Sequence, residues 1–455
     1  MGVRSAALVA AAAAAPAGNM VVLKQVCFHP KADGGACAVG ATIHGAQDVA
    51  SQLCGELTTC HTPAAFATCP DPSVPRFLES AVTGACAAAS AGAYPAAGAA
   101  RRGRAAALTL TSNIGHDLYN GILDVFALSE RAPLDLLIAD VNWFGGRASF
   151  DRAVADPKSS WTLTVTDALF NGTTPTPLHF VDNAAMPGGG GTSTVRRPLC
   201  IDELFVRAQS RLAENVGWDA LRAVPALRRR VLERVLGGAP ARKNERTVTV
   251  YTRGDANRRR FKSRDVGAAT RRLGATAVVQ RMARGDPRAQ IELFAGSDVF
   301  VAPFGSNTAN AVFMRPGSTF VEVTPLCAST CEEGCHPYSR TGPAGAASMA
   351  DNYAGVSRAN ACLSLMADGP PLHHASGVNY HIVAMCSGTL RCDNGTMADP
   401  RTGRPAKIPR KAWKANFNDD LDLDRALPRL LAILDGSDNA TRVAPFGFSC
   451  PRLVS

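Results

Sequence analysis

The sequence predicts an α/β fold in which two doubly wound, parallel sheets follow one another along the chain. Three observations carry this expectation. Leu134 to Val141 is a near-continuous apolar run, as expected for a strand covered on both faces. With the strand-like Leu108 to Thr111 and a helix opened by Ser112 to Asn120, it makes a strand–helix–strand unit. From Thr247 onward, strand and helix patterns alternate regularly, the order that a second parallel sheet requires. Finally, residues 291–325 read as a helix end, a buried strand (Asp298 to Pro303), a polar glycine-containing turn, a helix (Asn307 to Phe313) and a second buried strand (Thr319 to Val323). Open α/β sheets bind ligands at such an edge, where a following helix offers N–H groups to a phosphate.

Residues 1–18 read as a leader. Arg4 precedes an apolar run from Ala6 to Ala15 with small residues after it, the layout of a signal peptide and shorter than the roughly 20 apolar residues that span a bilayer. Val21 to Cys27 reads as a short strand, six cysteines run from Cys27 to Cys86, and Ala81 to Ala107 is rich in Ala, Gly and Arg. Residues 19–107 are therefore expected to form a cysteine-rich extension ending in a low-complexity linker. Residues 108–238 make the first sheet domain. After Cys200 it should contain an amphipathic helix from Ile201 to about Glu214, then a second helix from Asp219 to Leu236 kinked or broken at Pro225. Gly237 to Pro240 and the charged Arg242 to Arg246 punctuate the chain. In 245–415 the expected elements are a strand at Thr247 to Thr252, a helix at Val266 to Leu273, a strand at Thr276 to Val279, a helix at Pro287 to Ala295, the central stretch, and a strand at Asn379 to Ala384. Residues 416–455 hold a terminal helix from Leu421 to Leu434.

Composition narrows the partners. The net charge of +10 comes with only 6% aromatic residues, and the arginine clusters lack the interleaved rings that stack bases. Nucleic acid is therefore not expected, whereas phosphorylated small molecules or an anionic surface suit the charge. The 14 cysteines include Cys327, Cys331 and Cys335 beside His336, a spacing atypical of zinc sites, so disulfides are favoured over metal. Asn171, Asn394 and Asn439 each open a glycosylation sequon. Together with the leader, these place the chain in the secretory pathway, in the lumen of the Golgi or endoplasmic reticulum, with membrane association through the N-terminus.

Candidate chemistry sits in three places. Arg253, Arg258, Arg259 and Arg260 follow directly on a strand, and the planar guanidinium fork suits diphosphate; a solvated loop is the bland alternative. Asn113-Ile114-Gly115-His116 opens the first helix, where His116 could serve as a base of near-neutral pKa and Asp117 could serve either that role or the helix dipole. Glu322 lies near the end of a buried strand, where its carboxylate needs a partner.

These blocks carry a family resemblance. Phe304-Gly305-Ser306-Asn307-Thr308-Ala309-Asn310, Phe313-Met314-Arg315-Pro316-Gly317 and Val321-Glu322-Val323 resemble the catalytic-domain signature of glycosyltransferase family 61, as do the strand with Arg253, Arg258 and Arg259 and the Asn113–His116 element. Phe304 stands where the family has His, Asn307 where it has Gly, and Asn120 where it has Asp. The resemblance implies a GT-B-like architecture, two Rossmann-like domains facing a cleft. It implies an inverting, metal-independent enzyme without a cofactor, moving N-acetylglucosamine or xylose from a UDP-sugar to a hydroxyl of a glycan or glycoprotein. His116 or Asp117 would take the acceptor proton, and Arg253, Arg258, Arg259, Gly305, Ser306, Asn307, Asn310 and Glu322 would hold the nucleotide sugar. The three departures favour an alternative, a binding protein of the same fold that has lost catalysis.

Overall fold

The computed structural model describes residues 20–30, 36–39, 42–44, 100–111, 114–143, 155–170, 178–181, 199–207, 218–242, 244–254, 259–282, 285–324, 375–385, 392–393, 396–398, 405–406, 420–438, 442 and 453–454. The sequon asparagines Asn171, Asn394 and Asn439 and Arg258 fall outside them, as does the leader.

The first sheet gathers β1 (Met20–Pro30), β2 (Ala36–Val39), β3 (Thr42–His44), β4 (Ala100–Thr111), β5 (Leu136–Trp143), β6 (Leu178–Val181) and β7 (Leu199–Arg207). Its order is β2-β1-β7-β4-β5-β6, with β3 also paired to β1. Strands β4 to β7 are parallel to their neighbours among them. β1 is antiparallel to β7, with Cys27 opposite Cys200, and Cys200 is disulfide-bonded.

Two expectations fail here. Residues 201–207 of the helix expected from Ile201 to about Glu214 belong to strand β7, and the rest lies outside the described residues. The buried residues Cys200, Ile201, Leu204 and Phe205 of β7 mimic a helical spacing because the strand is sandwiched between β1 and β4 and covered on both faces, which erases the two-residue alternation. The linker also ends sooner than expected, because β4 begins at Ala100. Ala105, Ala106 and Ala107 are buried, so alanines that look like low-complexity filler are small residues of a central strand.

Helix α1 (Ile114–Asp117) passes through a π-helical turn at Leu118–Ile122 into α2 (Leu123–Ser129), returning the chain from β4 to β5. Helix α3 (Trp161–Phe170) follows. Helix α4 (Trp218–Val231) continues through the exposed Pro225 without a break. Burial of Ala220, Val224, Leu227 and Val231 offsets the hydrogen bond that proline removes.

The second sheet is built from β8 (Val248–Tyr251), then, past the short β9 (Phe261–Lys262), β10 (Ala277–Val279), β11 (Val299–Pro303), β12 (Thr319–Thr324) and β13 (Asn379–Met385). Three short strands, β14 (Cys392–Asp393), β15 (Thr396–Ala398) and β16 (Pro405–Ala406), form a separate antiparallel sheet. β17 (Leu421–Asp422) pairs with β9, and β18 (Leu453–Val454) closes the second sheet, whose order is β10-β8-β11-β12-β13-β18. Every pairing in that sheet is parallel. Helices α5 (Val266–Arg272), α6 (Pro287–Ala295) and α7 (Leu423–Leu434) cover it. Asp265, Asp286 and Asp422 cap them, each side chain accepting the N–H three residues on.

The alternation of strand side chains sorts the two faces cleanly. Val248, Val250, Val299, Val301, Val321 and Val383 pack with α5 and α7. Phe300, Phe320, Tyr380 and Ile382 pack with Phe294 of α6. A third core joins the two halves of the chain, since Phe126, Trp161, Val165, Leu169, Val224 and Val231 cluster with Ile291, Ala295, Val312 and Phe313.

Candidate active site

In the second sheet β8 comes first in sequence yet lies between β10 and β11. Its connection to β10 runs by α5 on one face, while the chain leaving β11 returns on the other. That reversal leaves a crevice outside the carboxyl ends of β8 and β11, the place where open α/β sheets hold ligands. The first sheet repeats the arrangement, with β4 between β5 and β7. The Asn113–His116 element therefore follows the strand at that reversal.

The loop after β8 is closed on itself by Phe261 N–H donating to the Thr252 carbonyl at 2.9 Å. Arg253 and Arg259 stand at its two ends, both with φ of 55°. Among the described residues no other non-glycine residue has positive φ. Such a conformation costs about 1–2 kcal/mol per residue, and strain of this kind concentrates at functional sites. Here it turns both guanidinium groups onto the same turn. Arg253 Nη1 donates to the Phe304 carbonyl at 3.1 Å, and the Arg259 guanidinium lies 5.2 Å from the centre of the Phe304 ring. Arg259 is 8% exposed, so the ring covers a buried cation with its electron-rich face.

The turn between them starts the expected helix, which is a 3-10 helix over Ser306–Phe313. Thr308 tightens it, donating both its N–H and its hydroxyl to the Gly305 carbonyl at 2.9 and 2.7 Å. Gly305 is fully extended, so its backbone does not demand glycine. Close approach does, because a Cβ there would lie 2.9 Å from Arg253 Nη1. Gly305→Ala is therefore expected to leave the melting temperature within a few degrees while displacing the flexible end of Arg253. The expected cost is about tenfold in turnover, the value of one charged contact. Equal activity with an intact fold would show that Arg253 has no part in the chemistry.

Helix α1 packs against this 3-10 helix, and the first turn of α3 binds both. Trp161 Nε1 donates to Asn310 Oδ1 at 2.6 Å, and the neighbouring Thr162 hydroxyl donates to Asp117 Oδ2. Asn310 also donates to the Asn307 carbonyl at 3.2 Å. Asp117 and Asn310 are fully buried. The structure therefore brings these two sequence candidates together in a seam beside the crevice. His116 lies one residue before Asp117 on α1.

Glu322, 2% exposed, stands in β12 opposite Ala302 and Ile382, on the face that carries Phe300, Phe320 and Tyr380. Ser306 is exposed and Asn307 half-buried at the mouth of the turn. Arg315 lies elsewhere. It pairs with Asp298 at 2.7 Å, whose other oxygen accepts from Thr247 N–H, so this part of the motif ties down the amino ends of β8, β11 and β12. Among the described residues, no three His, Cys, Asp or Glu side chains stand together as a metal site, and no helix is long and apolar enough to cross a membrane.

Sequence reasoning missed two groups. Trp161 and Thr162 gave no motif signal. The acidic Asp420, Asp422 and Asp424 did give one, an alternation of acids opposite in charge to the basic run at Arg258 to Lys262. Arg260 and Lys262 bind Asp420 at 3.0 and 2.7 Å. The run thus divides, with Arg259 turned to Phe304 and Arg260 turned to the acid.

Residues 141–321 match the family model described as Glycosyltransferase 61. The match covers less than half of the 455 residues. It includes Arg253, Arg258, Arg259 and the Gly305 to Asn310 turn, and it begins after Asp117. No curated protein matches the chain.

Proposed function

From a chain that carries a glycosyltransferase 61 domain, and hence glycosyltransferase activity in general with a donor and an acceptor as its substrates, we propose an inverting, metal-independent transferase using a UDP-sugar. The sugar is N-acetylglucosamine or xylose, and the acceptor is a hydroxyl of a glycan or glycoprotein in the secretory pathway. The two sheets act as the halves of a GT-B arrangement, with their carboxyl edges turned to a common cleft. The observation that carries this reading is the convergence of Arg253 and Arg259, both held in the left-handed conformation, on the Phe304–Gly305 turn.

In the proposed reaction the acceptor oxygen attacks the anomeric carbon in line, and His116 takes the hydroxyl proton. The bond from that carbon to the leaving diphosphate oxygen breaks with inversion. Negative charge grows on the diphosphate, where Arg253, Arg258 and Arg259 meet it. Ser306 and Asn307 at the mouth of the turn contact the phosphates, and Glu322 accepts from the ribose hydroxyls. Asp117 and Asn310, engaged with Thr162 and Trp161, hold α1 and the 3-10 helix in place around the site.

A second reading has one observation in its favour: Phe304, where the family has histidine, packs under Arg259. On that reading the site binds a nucleotide sugar without transferring it. A donor screen separates the two. The protein is incubated with UDP- and GDP-sugars, a mixed glycan acceptor pool and EDTA, and released nucleotide is followed. Release from one UDP-sugar is the expected result. No release, with UDP still raising the melting temperature, would replace the transferase by the binding protein.

A further inference from the structure

The acidic segment at the front of α7 grips the loop that presents Arg259. Asp420 Oδ1 accepts from Arg260 N–H at 3.2 Å, and Oδ2 accepts from Arg260 Nε at 3.0 Å and from Lys262 Nζ at 2.7 Å. The Arg260 carbonyl in turn accepts from Leu421 N–H at 2.9 Å. Both sides of the residue after Arg259 are thereby fixed. Asp424 continues the strap, accepting from the Ser263 hydroxyl at 2.7 Å and Arg264 N–H at 2.9 Å. The segment doing the gripping is itself anchored. Leu421, Leu423, Ala426, Leu427 and Leu430 are buried with Phe261 and the valines of β8, β11 and β12.

We propose that Asp420 is a positioning residue for the phosphate-facing Arg259. The Arg260 N–H belongs to the peptide plane that rotates with Arg259 ψ, so a carboxylate holding that N–H fixes the outgoing peptide of Arg259, whose φ of 55° an L-residue otherwise avoids. The same carboxylate offsets half of the positive charge of Arg260 and Lys262, which otherwise repels Arg253 and Arg259 as these gather at one turn. Hydrogen bonding of this strength shows in the acid itself. Burial would raise its pKa, but the bonds from Lys262 and Arg260 outweigh burial and leave it lowered. The assignment rests on the diphosphate-binding reading above.

The test is UDP binding by calorimetry to the whole protein and its variants, with thermal melts alongside. Asp420→Asn is expected to weaken UDP about tenfold, the worth of one charge-assisted contact. Asp420→Glu keeps the charge but moves the acceptor away from Arg260 N–H, so a loss of about threefold is expected, and this variant serves if the asparagine form does not fold. The signature of positioning is non-additivity. Arg259→Ala should weaken UDP no further in the Asp420→Asn background, whereas Arg253→Ala, held separately by Phe304, should add its full effect. Asp424→Asn should stay within about twofold of wild type. Wild-type affinity in both Asp420 variants, or fully additive losses with Arg259→Ala, would overturn the positioning role while leaving the nucleotide site standing. A wild-type protein that does not bind UDP would overturn the transferase reading and this role together.

Discussion

Replacing Arg259 by alanine is expected to slow sugar transfer roughly a hundredfold, close to the 3 kcal/mol that one preorganised contact to developing charge supplies. Arg253→Ala carries the same expectation, and so does Arg258→Ala. On the proposed reaction the loss should fall on kcat, because the contact would strengthen as the diphosphate leaves. Arg259→Lys should rescue little, since an ammonium has neither the fork for paired bonds nor the plane that lies over Phe304. Alanine in place of Arg259 should leave the melting temperature near that of wild type, because it removes a buried cation along with its contacts. Steady-state rates with the donor found by the screen would check this. Near-normal turnover in either described variant would remove these arginines from the mechanism.

Trp161→Ala is expected to destabilise the protein by about 4 kcal/mol, the usual cost of deleting a buried indole. The ring is 5% exposed and packs at 6.1 Å from Phe313, and its N–H is bonded to the fully buried Asn310. Alanine would leave a cavity and an orphaned amide oxygen in the same seam. Trp161→Phe keeps part of the packing but loses the N–H with the smaller ring, so about 2 kcal/mol is expected. Differential scanning calorimetry would read a drop of several degrees for the first and a smaller one for the second. An unchanged melting temperature in Trp161→Ala would mean that the two halves of the chain do not share the core in which Trp161 sits.

The second sheet was legible almost element by element, for a physical reason. Its strands are short valine-rich runs between well-capped helices, and helix Pro287–Ala295 was expected at the residues where it forms. Long-range pairing hid the rest. β7 looks helical because β1 and β4 flank it, and no local pattern announces a partner almost 180 residues away in sequence. The arginine run was visible as a candidate phosphate site, and the resemblance singled out Arg253, Arg258 and Arg259; what separates Arg259 from Arg260 was not visible. The split depends on φ at Arg253 and Arg259 and on Asp420, a residue 160 positions beyond Arg260. Asn310 was visible as a motif member and Asp117 as the runner-up to His116. Their burial against Thr162 and Trp161 is a property of packing that sequence does not display.

The place of β7 between β1 and β4 also sets an order on biosynthesis. Met20–Pro30 leaves the ribosome early, but the strand it pairs with ends at Arg207, so for most of that interval β1 has an unsatisfied edge. The same holds for one side of β4. Closing such loops is slow, and open strand edges invite pairing between molecules. The second sheet takes its first four strands from within 248–324, a span it can close locally. The nascent chain is therefore most exposed to misassembly in its first half, and in the second half the loop that presents Arg259 also waits, for Asp420 some 160 positions beyond Arg260.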